Sequence, residues 1–408
     1  MSRLKVSYQG MQVGELASVP VGGRTCLFFE YAPEFLRTGL RLSPLRLPLR
    51  SGLISRDDAT PGECLPGLFE DSVPDRWGLR ILHDWFRKKG ISEHEVTPLM
   101  MLSYVGDRGM GALIYEPDEG PPEAGRIDLA AVYQEALTQD AEGPHALSEV
   151  LADIGSPPGG AQPKALIALP TDGQWDVCRG GSRTIPLGFD AWLVKFSPRR
   201  ISHENLGSDG RMEEAYAQMA RASGIEMPPT RLLPTAQGSD ARLHFATKRF
   251  DRVGNERIHH HTLAGMTHRR GGDLDYETLL AVTRVVTRDE REVLKGFRRA
   301  VFNVLACNDD DHGRNHGFLY RSGEWRLGPA YDVTFRQLRE RGLAVGGTRS
   351  GVGLSHLRDL GTRLALDRQE VDVIIEDVRS ALGSWKRFAK EAGVPADYAT
   401  YVAAAHRI

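Results

Sequence analysis

Eight consecutive residues constrain this chain more than any others: Asn308-Asp309-Asp310-Asp311-His312-Gly313-Arg314-Asn315. They follow an apolar periodicity, Val293, Leu294, Phe297, Val301, Val304 and Leu305, whose spacing predicts a buried helix delivering the chain to the acidic cluster. Beyond the cluster come a short apolar run (Gly317-Phe318-Leu319-Tyr320), a turn (Ser322-Gly323-Glu324), a second short run and then Tyr331-Asp332-Val333. The order is helix, acidic loop, hairpin, second acid.

That order has a chemical reading. Phosphoryl transfer needs a carboxylate facing the hydroxyl nucleophile, and a neutral oxygen and a second carboxylate holding magnesium. Asp310 and Asn315 stand at the Asp-to-Asn separation of the protein-kinase catalytic loop, and Asp332 follows a hairpin, where kinases place their metal-binding Asp. A lone Asp-Asn pair is more simply a solvated loop with Asx turns. Here the intervening His, the Arg and the downstream Tyr-Asp favour chemistry.

The stretch resembles the catalytic loop of the HipA-type toxin kinases, Asp-x-His-x-x-Asn, a pattern shared with lipid kinases of the phosphoinositide type. The matching residues are Asp310-Asp311-His312-Gly313-Arg314-Asn315. The resemblance implies a bacterial serine/threonine protein kinase acting as the toxin of a toxin–antitoxin pair. The fold it implies is α+β and two-lobed, protein-kinase-like and phosphoinositide-kinase-like, with a β-rich N-terminal module and a mainly helical C-lobe.

Composition fits that reading. At 408 residues the chain is too long for one ordinary core and suggests two or three domains. A net charge of −2 offers no basic excess for nucleic acid or anionic membrane. Cys26, Cys64, Cys178 and Cys307 are far apart and form no CxxC, as expected of reduced thiols in the cytoplasm. No apolar run is long enough for a signal core or a membrane span.

Residues 1–122 are read as the HipA-like N-terminal subdomain, because Leu65-Pro66-Gly67-Leu68-Phe69 and Pro74-Asp75-Arg76-Trp77 resemble a pattern of the small N-terminal domain of HipA proteins. Leu4–Tyr8 and Thr25–Tyr31 are strand-like between glycines, and Trp77, Ile81, Leu82, Trp85 and Phe86 predict a helix stopped at Lys88-Lys89-Gly90. The aromatic run is read as core. The stretch Glu116-Pro117-Asp118-Glu119-Gly120-Pro121-Pro122 reads as a boundary or linker. Helices are expected from about Asp128 to Leu137 and near Leu147.

Residues 123–252 are read as the kinase N-lobe. Gly160-Ala161-Gln162-Pro163-Lys164 precedes a strand, and HipA-like proteins carry a similar Gly-Ala/Val-Gln-x-Lys phosphate loop. Their autophosphorylated Ser falls at Pro157 here; Ser156, one step away, is the candidate substitute. Lys195 lies near the end of the strand Asp190–Phe196, and the following helix offers Glu213 as its partner, with Glu214 in reserve. Lys248-Arg249-Phe250-Asp251-Arg252 resembles the family's Glu-Arg-Phe-Asp-Arg crossing. There the backbone of the first positions meets adenine and the Phe packs nearby; Lys248 replaces the Glu.

Residues 253–408 are read as the helical C-lobe. His259-His260-His261 makes a poor zinc site, because consecutive strand side chains point to opposite faces. Gly346–Gly353 reads as a surface loop or a mobile loop near the substrate. Val371, Ile374, Ile375, Val378, Leu382, Trp385 and Phe388 predict one long amphipathic helix. By the resemblance, ATP and Mg²⁺ bind between the lobes and Asp310 faces the hydroxyl. Asn315 and Asp332 hold the metal, and Lys164 and Lys195 face phosphates. His312 is read as bracing the loop, because a kinase loop needs rigid placement more than a general acid. Expected partners are a HipB-like helix-turn-helix antitoxin, operator DNA through that antitoxin, and a protein substrate such as an aminoacyl-tRNA synthetase. Two rival readings share these residues: a small-molecule phosphotransferase, and a non-catalytic antitoxin-binding co-repressor.

Overall fold

The computed structural model describes residues 3–21, 24–56, 65–74, 76–142, 147–155, 160–174, 177–235, 242–269 and 271–408. They divide into two compact units. One comprises Met1–Lys195, Lys248–His261 and Gly265–His268, the other Phe196–Thr247, Thr262–Ala264 and Arg269–Ile408.

The first unit opens with an antiparallel sheet in the order Arg24–Tyr31, Met11–Val21, Arg3–Tyr8, Leu113–Glu116. Period-two alternation selects its buried face. Leu4, Leu16 and Phe29 are successive cross-strand partners, and all are fully buried against Phe69, Leu99 and Leu102. Helix Arg76–Lys88 buries Trp77, Ile81, Leu82, Trp85 and Phe86, as their spacing predicts, and the chain leaves it through Gly90 at φ +77°. The polar stretch 116–122 is tied down: Asp118 accepts from the wholly buried Arg108 at 2.8 Å and pairs with Arg183 at 2.7 Å.

Further strands of this unit run in the order Arg126–Ile127, Cys178–Gly180, Lys164–Pro170, Phe189–Lys195, all antiparallel. Residues 248–261 and 265–268 also belong to it. Asp251 accepts from Arg249, Arg252 and the Gly111 N–H, while Arg252 donates to the carbonyls of Gly109 and Gly111. The three histidines lie on strand His259–Thr262 and take different partners. His259 contacts the Leu42 carbonyl at 2.8 Å, His260 packs beside Phe250, and His261 sits between Asp71 (2.6 Å) and Ser43 (3.0 Å).

The second unit is mainly helical. Its central helix, Glu290–Leu305, is capped by Asp289 and buries Val293, Phe297, Val301, Val304 and Leu305 completely. It approaches helix Tyr276–Thr287 closely: a Cβ on Gly296 would lie 2.7 Å from the Leu280 side chain. A hairpin, Gly317–Arg321 with Glu324–Leu327, follows the acidic loop. The single amphipathic helix expected through Val371 and Phe388 is instead two, Arg368–Gly383 and Trp385–Glu391. The apolar stripe is real. Gly383, a weak helix former, ends the first segment, and the indole of Trp385 donates to the Ala399 carbonyl at 2.8 Å. Gly346–Gly353 is a loop held by Arg349, which donates to the carbonyls of Arg341, Gly342, Gly272 and Leu274. Among the described residues, no helix is long and apolar enough to cross a membrane.

Candidate active site

The central helix of the second unit delivers the acidic loop through Cys307, whose φ of +60° is a left-handed conformation that strains a non-glycine residue. The next residue but one is pinned on both sides. Asp309 donates its N–H to the Arg336 carbonyl and accepts from the Gly342 N–H, each at 2.8 Å. Asp309 and Asp311 are buried; Asp310 between them is exposed. The Asp309 carboxylate accepts two bonds from Arg407, at 2.8 and 2.7 Å. Asp311 accepts from the Tyr276 hydroxyl at 2.5 Å, the Leu343 N–H at 3.2 Å and the Arg341 guanidinium.

Asp310 is therefore displayed by a loop whose other acids are neutralised. Asn315 closes the loop: its N–H donates to the His312 carbonyl at 2.8 Å and its amide nitrogen to the Asp310 carbonyl at 2.9 Å. Although Asp310 is exposed at the surface, the protein around its carboxyl displaces enough water to push it above its ordinary value; His312 opposes the shift and the Asp332 charge adds to it. His316 is buried beside Asp311, and burial pushes its ring down to about 3, so it stays neutral.

The Tyr331 hydroxyl donates to the Arg314 carbonyl at 2.5 Å, and Asp332 follows at φ +56°. Asn315 and Asp332 line one small pocket, together with Asn308, Asp311, His316 and Tyr331. With its nitrogen committed to Asp310, the Asn315 amide keeps its oxygen for a ligand. Magnesium is commonly held by one or two carboxylates with phosphate oxygens, and this donor pair suits it. Among the described residues no cluster of three or more His, Cys, Asp or Glu side chains could hold a metal; a site completed by phosphate does not need one. Glu213 is buried in the first turn of helix Gly210–Ala222, whereas Glu214 accepts from Gln218 of its own helix at 3.0 Å.

In the first unit, Lys164 and Lys195 face each other directly across an antiparallel pair, 2% and 9% exposed. Gly160 has φ +109°, and a Cβ there would lie 2.5 Å from the Lys164 amine. Ala161 and Gln162 continue the same turn. Trp77 braces it: its N–H donates to the Gly160 carbonyl at 3.3 Å and its indole to the Lys164 carbonyl at 3.2 Å.

Known proteins resolve what these two half-descriptions belong to. Residues 4–116 match the HipA N-terminal domain, and residues 156–385 match the HipA-like C-terminal domain. The chain belongs to the HipA family. A HipA of Shewanella oneidensis, solved with HipB and operator DNA of its toxin–antitoxin system, superposes at a TM-score of 0.68. It is 16% identical, with 98% of this chain and 94% of that one covered. The α+β HipA fold expected from the sequence is the one found. Y4mE of Sinorhizobium fredii, named as a candidate kinase, is 28% identical over 128 residues. That match takes in 30% of this chain, which spans only 24% of Y4mE. CtkA, a proinflammatory kinase of Helicobacter pylori, aligns with 51% of this chain at 13% identity and a TM-score of 0.33.

Lys248 pairs with Asp190 at 2.8 Å. Phe250 is half-buried, its ring centroid 5.5 Å from that of His260. Ser156 and Pro157 lie outside the described residues. Sequence reasoning missed the partners that build the HipA loop: Tyr276, Arg341 and Arg407 carry no local motif. Trp77 did carry a signal, since a buried indole N–H must find an acceptor.

Proposed function

We propose that this HipA-family chain is an ATP- and magnesium-dependent serine/threonine protein kinase, the toxin of a toxin–antitoxin pair. The observation that carries the reading is the convergence on one pocket of Asp332, from beyond the hairpin, and Asn315, which closes the loop that displays Asp310. Asp310 orients the substrate hydroxyl and accepts its proton; the raised carboxyl brings its basicity nearer to that task. Asn315 and Asp332 hold magnesium, which when bound neutralises charge on the phosphates. Lys164 and Lys195 meet the phosphates with Gly160, Ala161 and Gln162, and Glu213 orients Lys195. The backbone at Lys248 and the ring of Phe250 meet adenine, while His312 braces the loop. Ser156 is the autophosphorylation candidate. The substrate class is a translation component such as an aminoacyl-tRNA synthetase, whose phosphorylation halts growth. The partner is a HipB-like antitoxin that brings operator DNA, a reading supported by the assembly of the Shewanella relative.

Transfer of labelled phosphate from ATP with magnesium tests this, using tRNA synthetases, small alcohols and the protein itself as acceptors. Wild type should label a protein acceptor, and Asp310→Ala should lose at least about a hundredfold in rate. Labelling of small alcohols alone would replace the reading with a small-molecule phosphotransferase. ATP binding without any transfer would replace it with a non-catalytic co-repressor.

A further inference from the structure

Three consecutive aspartates cannot share one environment, and here the outer two are both anchored by arginines from distant parts of the chain. Asp309 and Asp311 are 2% and 1% exposed. Arg341, itself buried, takes Asp311. Arg407 takes Asp309 through two parallel bonds and lies beyond helix Ala396–Ala405.

Arg407 does more than neutralise a charge. Its N–H donates to the Leu305 carbonyl at 2.9 Å and its guanidinium to the Val304 carbonyl at 3.2 Å. His406 reaches the Tyr216 hydroxyl at 3.3 Å, and that hydroxyl donates to the Ala306 carbonyl at 2.6 Å. Residues 406–407 thus lie along the end of the helix that feeds the loop. The segment after Asp332 meets them there: the Leu338 N–H donates to Asp309 at 3.3 Å, beside the Arg336 and Gly342 backbone bonds. Asp309 is the crossing point of three segments, one peptide bond from Asp310.

We propose that Arg407 is a positioning residue for Asp310, one side of a clasp whose other side is Arg341. The two-pronged bond fixes the direction of the Asp309 carboxylate, not merely its charge. The backbone of residue 310 is held from both neighbours. A displacement of about 1 Å at a reacting group can cost on the order of a hundredfold in rate. Lysine carries the same charge without the fork, so Arg407→Lys separates geometry from neutralisation.

This inference rests on the kinase reading above. The test is steady-state phosphotransfer by the full chain, wild type against Arg407→Lys, with thermal melts of both. Arg407→Lys should keep a cooperative melt and a KM for ATP within about threefold of wild type, while kcat falls on the order of 10- to 100-fold. A wild-type kcat in Arg407→Lys would overturn the clasp and leave the kinase reading standing. So would a kcat loss matched by an equal rise in KM. If wild type transfers no phosphate to any acceptor, the kinase reading falls. The clasp is then judged by amide exchange over residues 308–316: faster exchange in Arg407→Lys supports it, and unchanged exchange overturns it.

Discussion

A single methyl group is enough to probe the turn at Gly160, proposed above to meet phosphate. Gly160 is needed twice over: its φ of +109° is one that L side chains rarely adopt, and an added Cβ would lie 2.5 Å from the Lys164 amine. The surrounding strand, fully buried from Lys164 to Pro170, does not depend on that residue for its core. Gly160→Ala should therefore melt close to wild type while binding ATP on the order of tenfold more weakly, equivalent to about 1.4 kcal/mol. Titration with a fluorescent ATP analogue measures this. Unchanged affinity would remove the Gly160–Lys164 turn from the nucleotide site. Gly160 and Lys164 stood out in the sequence through the family resemblance, since a Gly/Pro loop before a strand is by itself an ordinary turn. The flanking roles of Asp309 and Asp311 did not. Three adjacent acids look alike until the fold decides which is buried.

Helix Glu149–Ile154 carries one buried acid among its links to its neighbours. Asp153 accepts from the Ala124 N–H at 2.9 Å and the Ser182 hydroxyl at 2.8 Å, yet burial outweighs both and pushes its carboxyl up to about 6. The sign of the pH dependence follows. Between about pH 4 and pH 6 the folded chain holds a proton that the unfolded chain has released. Stability from this group is therefore largest in acid and falls as pH rises through that window, by up to about 1.4 kcal/mol per unit. Asp153→Asn has no such proton. The stability of wild type relative to Asp153→Asn should be higher at pH 5 than at pH 8, as read by melts at both. Parallel profiles would show that Asp153 titrates normally. Elements themselves were largely readable: apolar periodicity located the helices at Arg76–Lys88 and Glu290–Leu305. It could not show the break at Ser384, because a stripe of apolar residues continues across two helices that pack on the same core.

Across the whole molecule, the chain leaves the first compact unit at Lys195 and returns to it at Lys248. No local pattern announces such a return, since its signal is a set of pairings between residues about 140 positions apart. Arg249-Phe250-Asp251-Arg252 is a segment that the family resemblance puts near adenine; its charged side chains are buried in the first unit, where Gly109 and Gly111 supply the backbone groups they bind. Asp251 is the centre of that lock. Two guanidiniums hold its carboxyl well below the usual carboxylate range against the opposing effect of burial. Replacing it by Asn would leave two buried arginines sharing a neutral amide, and removing one partner of a buried ion pair costs about 3–5 kcal/mol. A loss of that size is a large fraction of the ~5–15 kcal/mol that holds a typical protein folded. Asp251→Asn should therefore lower the denaturant midpoint of the first unit sharply. Asp118→Asn, at a more exposed pairing with Arg108 and Arg183, should lower it by less. If both variants unfold together with wild type, residues 249–252 are held by apolar packing alone and the returning segment is not a structural lock.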